Sequence, residues 1–76
     1  MKDRLIQDLK ADRYTLGHLA EEANISRSYL STILNGKLLP SIHVATSLAM
    51  AANRLTNKTT YTPDQFLRIA KELPHA

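Results

Sequence analysis

The sequence predicts an all-α domain of five short helices, on three observations. Apolar residues recur at spacings of three and four in five separate stretches. Residues suited to starting or stopping a helix flank those stretches. The one run that resists a helical reading, Thr56 to Tyr61, is short, polar and β-branched. The 76 residues, 43% of them hydrophobic, imply a single domain over 1–76 with a small packed core.

The first helix is expected from about Asp3 to Asp12, carried by Leu5, Ile6 and Leu9. Thr15 is a suitable N-cap for a second helix over Leu16 to Ala23, with Tyr14 and Leu19 placed for a hydrophobic staple. That helix should bury Leu16, Leu19, Ala20 and Ala23. Asn24, which tolerates a left-handed backbone, ends it, and Ile25 fills the corner. Ser26 caps a third helix over Arg27 to Leu34, staples Ile25 to Leu30, and meets its stop at Asn35-Gly36. Pro40-Ser41 opens a fourth, with an apolar stripe of Ile42, Ala45, Leu48, Ala49 and Ala52 and an expected close at Asn53. Thr56 to Tyr61 is read as a loop, or a short hairpin turning at Asn57-Lys58. Thr62, Pro63 and Gln65 then supply an N-cap, a first-turn proline and a capping glutamine. The fifth helix is expected over Pro63 to Leu73, with Phe66, Ile69, Ala70 and Leu73 on one face and Pro74 ending it.

Composition excludes several chemistries. Without cysteine there is no disulfide, thiolate zinc site or cysteine nucleophile. His18, His43 and His75 are dispersed, so no metal site is expected. Asp8 with Asp12, and Glu21 with Glu22, read as solvated helix faces rather than acid–base pairs. Ser26, Ser28 and Ser31 lack a Gly-rich nucleophile elbow, and Gly17 and Gly36 make no phosphate loop. An enzyme is not expected, nor any cofactor. No apolar run approaches a membrane span, and the charged start MKDRLIQDLK is no signal peptide, which makes the cytoplasm the default location.

Charge is unevenly placed. Residues 1–22 sum to −1 and residues from Asp64 onward to zero, whereas Ala23 to Pro63 carry Arg27, Lys37, Arg54 and Lys58 and no acid. An acid-free segment suits a phosphate-facing surface. The second and third helices, joined by a tight turn, have the spacing of a helix-turn-helix, whose second helix can enter the major groove. On a helical wheel Leu30, Ile33 and Leu34 share the inner side of the third helix, expected to lock onto the second and fourth. Arg27, Ser28, Ser31, Thr32 and Asn35 share the outer side. Small hydroxyl residues allow close approach to a groove floor, and Arg can bond guanine bidentately. Tyr29, at the border, is open between phosphate donor, thymine contact and cover for the fourth helix.

In register, Leu19-Ala20, Ile25-Ser26-Arg27-Ser28, Leu30, Ile33-Leu34, Asn35-Gly36-Lys37 and Pro40-Ser41 resemble the lambda-repressor-like, Cro-type (XRE) helix-turn-helix family. The resemblance extends through Leu48-Ala49 and Ala51-Ala52-Asn53, and more loosely over the fifth helix. It implies a sequence-specific transcriptional regulator of double-stranded DNA, first of all a phage-type repressor resident in the cytoplasm or on the nucleoid. Arg27, Ser28 and Thr32 match the family's base-edge positions, and Tyr29 and Ser31 adjoining variable ones. Ser26 and Asn35 match phosphate-holding positions, and Lys37 adds charge beside the backbone. The family often has Gln where this chain has Leu16, a loss that the Thr15 hydroxyl can partly offset at a phosphate. It usually has Gly where this chain has Asn24, and the segment 56–61 lengthens the path to the fifth helix.

A lone reading helix offers few base contacts, so a homodimer on a two-fold-related operator is expected. Its surface falls on the fifth helix, through Phe66, Leu67, Ile69, Ala70 or Leu73, unless the core consumes them. Two alternatives share the fold: an antitoxin that pairs with a toxin partner and represses its own operon, and a protein-interaction module that has lost DNA binding.

Overall fold

The computed structural model describes residues 2–72, with side chains up to Ile69. Five helices follow in order: α1 (Lys2–Ala11), α2 (Leu16–Glu22), α3 (Arg27–Leu34), α4 (Ile42–Thr56) and α5 (Pro63–Glu72). No strand occurs among the described residues, and segment 57–62 is a loop rather than a hairpin. None of these helices is long and apolar enough to cross a membrane.

The starts follow the expected capping chemistry. The Ser26 hydroxyl accepts from the Tyr29 N–H at 3.0 Å, and that of Ser41 from the Val44 N–H at 3.2 Å. At α5 the Gln65 side chain accepts from the Thr62 N–H at 3.3 Å. The α2 start holds an unexpected variant of the capping box. Thr15 accepts from the His18 N–H, while His18 Nδ1 replaces the usual Glu or Gln in accepting from the Thr15 N–H at 2.9 Å. That bond requires the imidazole proton on Nε2. Tyr14 lies edge-on to His18, with ring centroids 5.5 Å apart.

The first four helices stop in the same way, each on a residue with positive φ: Arg13, Asn24, Gly36 and Asn57. In each the next residue's N–H reaches back five positions. Tyr14 bonds the Leu9 carbonyl, Ile25 that of Ala20, Lys37 that of Thr32 and Lys58 that of Asn53. Asn24 and Gly36 stand where the sequence placed them. Asn57 ends a helix instead of turning a hairpin, and α4 runs to Thr56 rather than closing at Asn53. The reason lies in two side chains. Thr56 is buried and its hydroxyl donates to the Ala52 carbonyl at 2.6 Å, which satisfies it inside the helix. Asn53 turns its amide outward, donating to the Tyr61 carbonyl and accepting from the Tyr61 N–H, both at 2.9 Å.

The core is formed by Leu5, Leu9, Leu19, Ala20, Ala23, Leu30, Ile33, Leu34, Ala45, Leu48, Ala49, Ala51, Ala52, Tyr61, Phe66 and Ile69. α4 is its centre and packs against α1, α2 and α5. α3 rests mainly on α2 and α5, not on α2 and α4 as the sequence implied. Two expected core residues sit differently: Leu16 is half-buried, and Ile42 is 57% exposed at the first turn of α4.

The second surprise is Asp8, expected to be solvated. It accepts a very short hydrogen bond from the Tyr61 hydroxyl, and Lys58 Nζ lies 3.6 Å from its other oxygen. With the Asn53 clamp, this ties loop 57–62 across α4 to α1. The Tyr61 bond holds the Asp8 carboxyl below its usual range, assisted by Lys58 and Arg4 against a desolvation penalty. Burial, and then Asp8, push the Tyr61 phenol well above the ordinary tyrosine range.

Ala20 is 2% exposed at the α2–α3 junction. Ala20→Leu should overpack it and cost roughly 1–3 kcal/mol, read as a lower urea midpoint; an unchanged midpoint would mean the junction has room. The Asp8–Tyr61 bond gives a pH signature. A carboxyl depressed in the folded state stabilises above its ordinary value of 3.8, and that stability is lost as pH falls through the folded value. Tyr61→Phe should therefore lower the neutral-pH melting midpoint while leaving the midpoint at strongly acid pH nearly unchanged. Equal losses at both pH values would show that the carboxylate form of Asp8 is not what the bond stabilises.

Candidate nucleic-acid interface

α3 shows two clean sides. Leu30, Ile33 and Leu34 are at most 2% exposed, whereas Arg27, Ser28 and Ser31 face solvent. Thr32 is partly exposed, and its hydroxyl donates to the Ser28 carbonyl at 2.9 Å. This leaves its oxygen as an acceptor and ties down its rotamer. Tyr29 is half-buried against the core, so part of its surface is cover and the rest borders the outer face.

Arg27 is held by more than its own helix. Its Cδ would lie 3.9 Å from a Cβ placed on Gly17, so its stem crosses the first turn of α2 where no side chain stands. Leu16 joins Arg27, Ser28 and Ser31 around an open hollow of about 350 Å³. On its other flank Arg27 shares a second hollow with Ile6, Lys10, Tyr14 and Leu16. Leu16, where the resembled family often has Gln, thus sets an apolar side chain beside exposed Arg27 at both hollows.

The residues expected at phosphates occupy the rim. Ser26 is exposed, and its cap uses an acceptor lone pair, which leaves its hydroxyl hydrogen to donate. Thr15 is more occupied than expected. Its N–H is spent on His18 Nδ1, and its oxygen accepts from the His18 N–H and lies 3.1 Å from that ring nitrogen. Its expected share of a phosphate is therefore reduced to what the capping box leaves. Lys37 is exposed just past the α3 stop. Asn35 is engaged on both sides: its Nδ2 donates to Ser31 Oγ at 3.4 Å, and its Oδ1 accepts from Lys2 Nζ at 2.7 Å.

The structure brings Arg27, Ser28, Ser31, Thr32, Ser26, Asn35 and Lys37 to one side of the molecule, with Thr15 and Leu16 at its edge. It removes two cations from that grouping. Arg54 pairs with Glu22 at 2.9 Å, and Lys58 with Asp8, so both serve the scaffold. It also corrects the expected dimer surface. Phe66 is 0% and Ile69 5% exposed, because α5 packs on α3 and α4, so neither can face a second protomer. Leu67 is half-buried, and the Ala70 side chain and Leu73 lie outside the described residues. Lys2 was missed, since only the fold brings it within reach of a residue 33 positions away. His18 carried a local signal, a polar side chain three residues after a threonine cap, but not the Glu or Gln of the usual pattern.

A comparison with curated proteins gave no match, and neither did one with solved structures. A family model described as helix-turn-helix does match, over residues 7–56, well over half of the 76-residue chain. The match runs from the second half of α1 to the end of α4 and so contains the α2–turn–α3 unit and its exposed face. The chain belongs to the lambda-repressor-like (XRE) helix-turn-helix family and is a DNA-binding regulator domain of that kind.

Proposed function

We propose that this domain is a sequence-specific repressor of the phage Cro type, binding a two-fold-related operator as a homodimer with α3 in the major groove. The observation that carries it is the outer side of α3. Arg27, Ser28 and Ser31 are exposed on a helix whose opposite side is fully buried, and no acid lies on that helix. Burial fixes the helix, and the outer residues are small enough for close approach to base edges. In this reading Arg27, Ser28 and Thr32 read bases, Tyr29 and Ser31 flank them, and Ser26, Asn35 and Lys37 hold phosphates, with Thr15 a lesser contact.

With Phe66 and Ile69 consumed in the core, a dimer needs another surface. Leu39, Ile42 and Met50 are each more than half exposed, and Leu38 is 38% exposed. Leu39 lies in the segment that joins α3 to α4 and Ile42 opens α4, where a symmetric contact would set the spacing between two reading helices. The same apolar residues would serve a toxin partner in the antitoxin reading, which co-purification of a second, different chain would favour.

Selection of bound sites from a random duplex pool should return a two-fold-related sequence. On that site Arg27→Ala should cost about 1–3 kcal/mol, chiefly at one base-pair position per half-site. Lys37→Ala should weaken all duplexes alike and reduce the salt slope by up to about one unit. Identical losses for both variants on every duplex would abolish the division between reading and positioning residues. Sedimentation of the complex should give two protomers per site; a single protomer at saturation would exclude the dimer.

A further inference from the structure

Lys2 opens α1, outside residues 7–56 that match the family model, yet its ammonium lies at the far end of α3. Its Nζ donates to Asn35 Oδ1 at 2.7 Å, and the same amide donates to Ser31 Oγ at 3.4 Å. A chain of hydrogen bonds therefore runs from α1 onto the outer side of α3. At the other end Ile6 and Lys10 of α1 share a hollow with Arg27, the first residue of α3. From Lys2 to Lys10, as from Arg27 to Asn35, is eight residues, or about 12 Å. Side chains of α1 thus approach both ends of the reading helix, Lys2 at its exit and Ile6 and Lys10 at its start.

The charge of Lys2 is kept available. Its partner is a neutral amide, and one bond leaves two of its three N–H donors free. One turn further along α1 stand Leu5 and Ile6, so no carboxylate shares that edge, and Asp3 lies about 100° further round the helix. Among the described residues no ion pair involves Lys2, in contrast to Arg54, Lys58 and Arg68. Asn35 sits two residues before Lys37, so Lys2 adds a second cation where the chain leaves α3.

We propose that Lys2 is a further phosphate-contacting residue of this domain, held at the exit of α3 by Asn35. The inference rests on the DNA-binding reading above and extends it to α1. In that arrangement Asn35 has two duties. It presents its remaining amide hydrogen to the backbone and it steers the Lys2 ammonium, so phosphate grip at this end comes from α1 and from the turn after α3 together.

The test is binding of the whole chain to selected and random duplexes across a salt series, with thermal unfolding measured in parallel. Lys2→Ala should reduce the slope of log affinity against log salt by about 0.9, equally on both duplexes. The unfolding midpoint should stay in place, and Lys2→Arg should keep the wild-type slope. The double variant Lys2→Ala with Asn35→Ala should lose less than the sum of the single losses, because part of the Asn35 effect passes through Lys2. An unchanged slope in Lys2→Ala, with wild-type binding intact, overturns the proposal and leaves the DNA-binding reading standing. A loss confined to the selected duplex would make Lys2 a base reader and overturn it as well. Strict additivity of the two substitutions removes the holding role of Asn35. A wild-type chain with no salt-dependent binding sinks both readings together.

Discussion

Everything on the outer side of α3 depends on the burial of three residues on its inner side. Leu30, Ile33 and Leu34 are the apolar anchors of a helix only eight residues long. A helix of that length has little stability of its own, because nucleation fixes several dihedrals for few hydrogen bonds. Burial of each such side chain contributes roughly 1.5–3 kcal/mol, so the helix exists because α2 and α5 receive it. That explains the unavailability of Phe66 and Ile69. They are buried on α5, which packs on both α4 and α3, and exposing them to a second protomer would uncover that packing.

The same economy governs charge. Of four cations in the acid-free central segment, Arg54 and Lys58 face carboxylates on α2 and α1. Exposed pairs of this kind add little stability. Their larger effect is on the field, since they neutralise Glu22 and Asp8 and leave Arg27 and Lys37 on the α3 side. Lys2 joins them through a neutral amide. The interface is therefore cationic by allotment, although the chain as a whole carries only +3.

Helix caps and stops are legible in the sequence because their physics is local. Thr15, Ser26 and Ser41 cap helices through bonds three residues long, and Asn24 and Gly36 adopt the left-handed stop that their backbones allow. The α3 boundaries follow from its cap and its stop, and its two faces from periodicity. Asn53 misled for a definite reason: an asparagine can end a helix by turning left-handed, or stay helical and bond elsewhere. Here Tyr61, eight residues on, supplied the elsewhere. Leu16 and Ile42 misled because a helical wheel gives a direction but not whether anything lies in it.

By itself the sequence determined the five helices, the family, and the set of residues on the outer side of α3. Those rest on caps, spacing and motif register, all encoded within a few residues of one another. Tertiary structure decided which residues those helices leave free. It consumed Phe66 and Ile69, gave Asp8 to Tyr61 over 53 residues, and carried Lys2 to Asn35 over 33. Such pairings depend on how helices cross, and no local pattern encodes the position of a distant side chain in space.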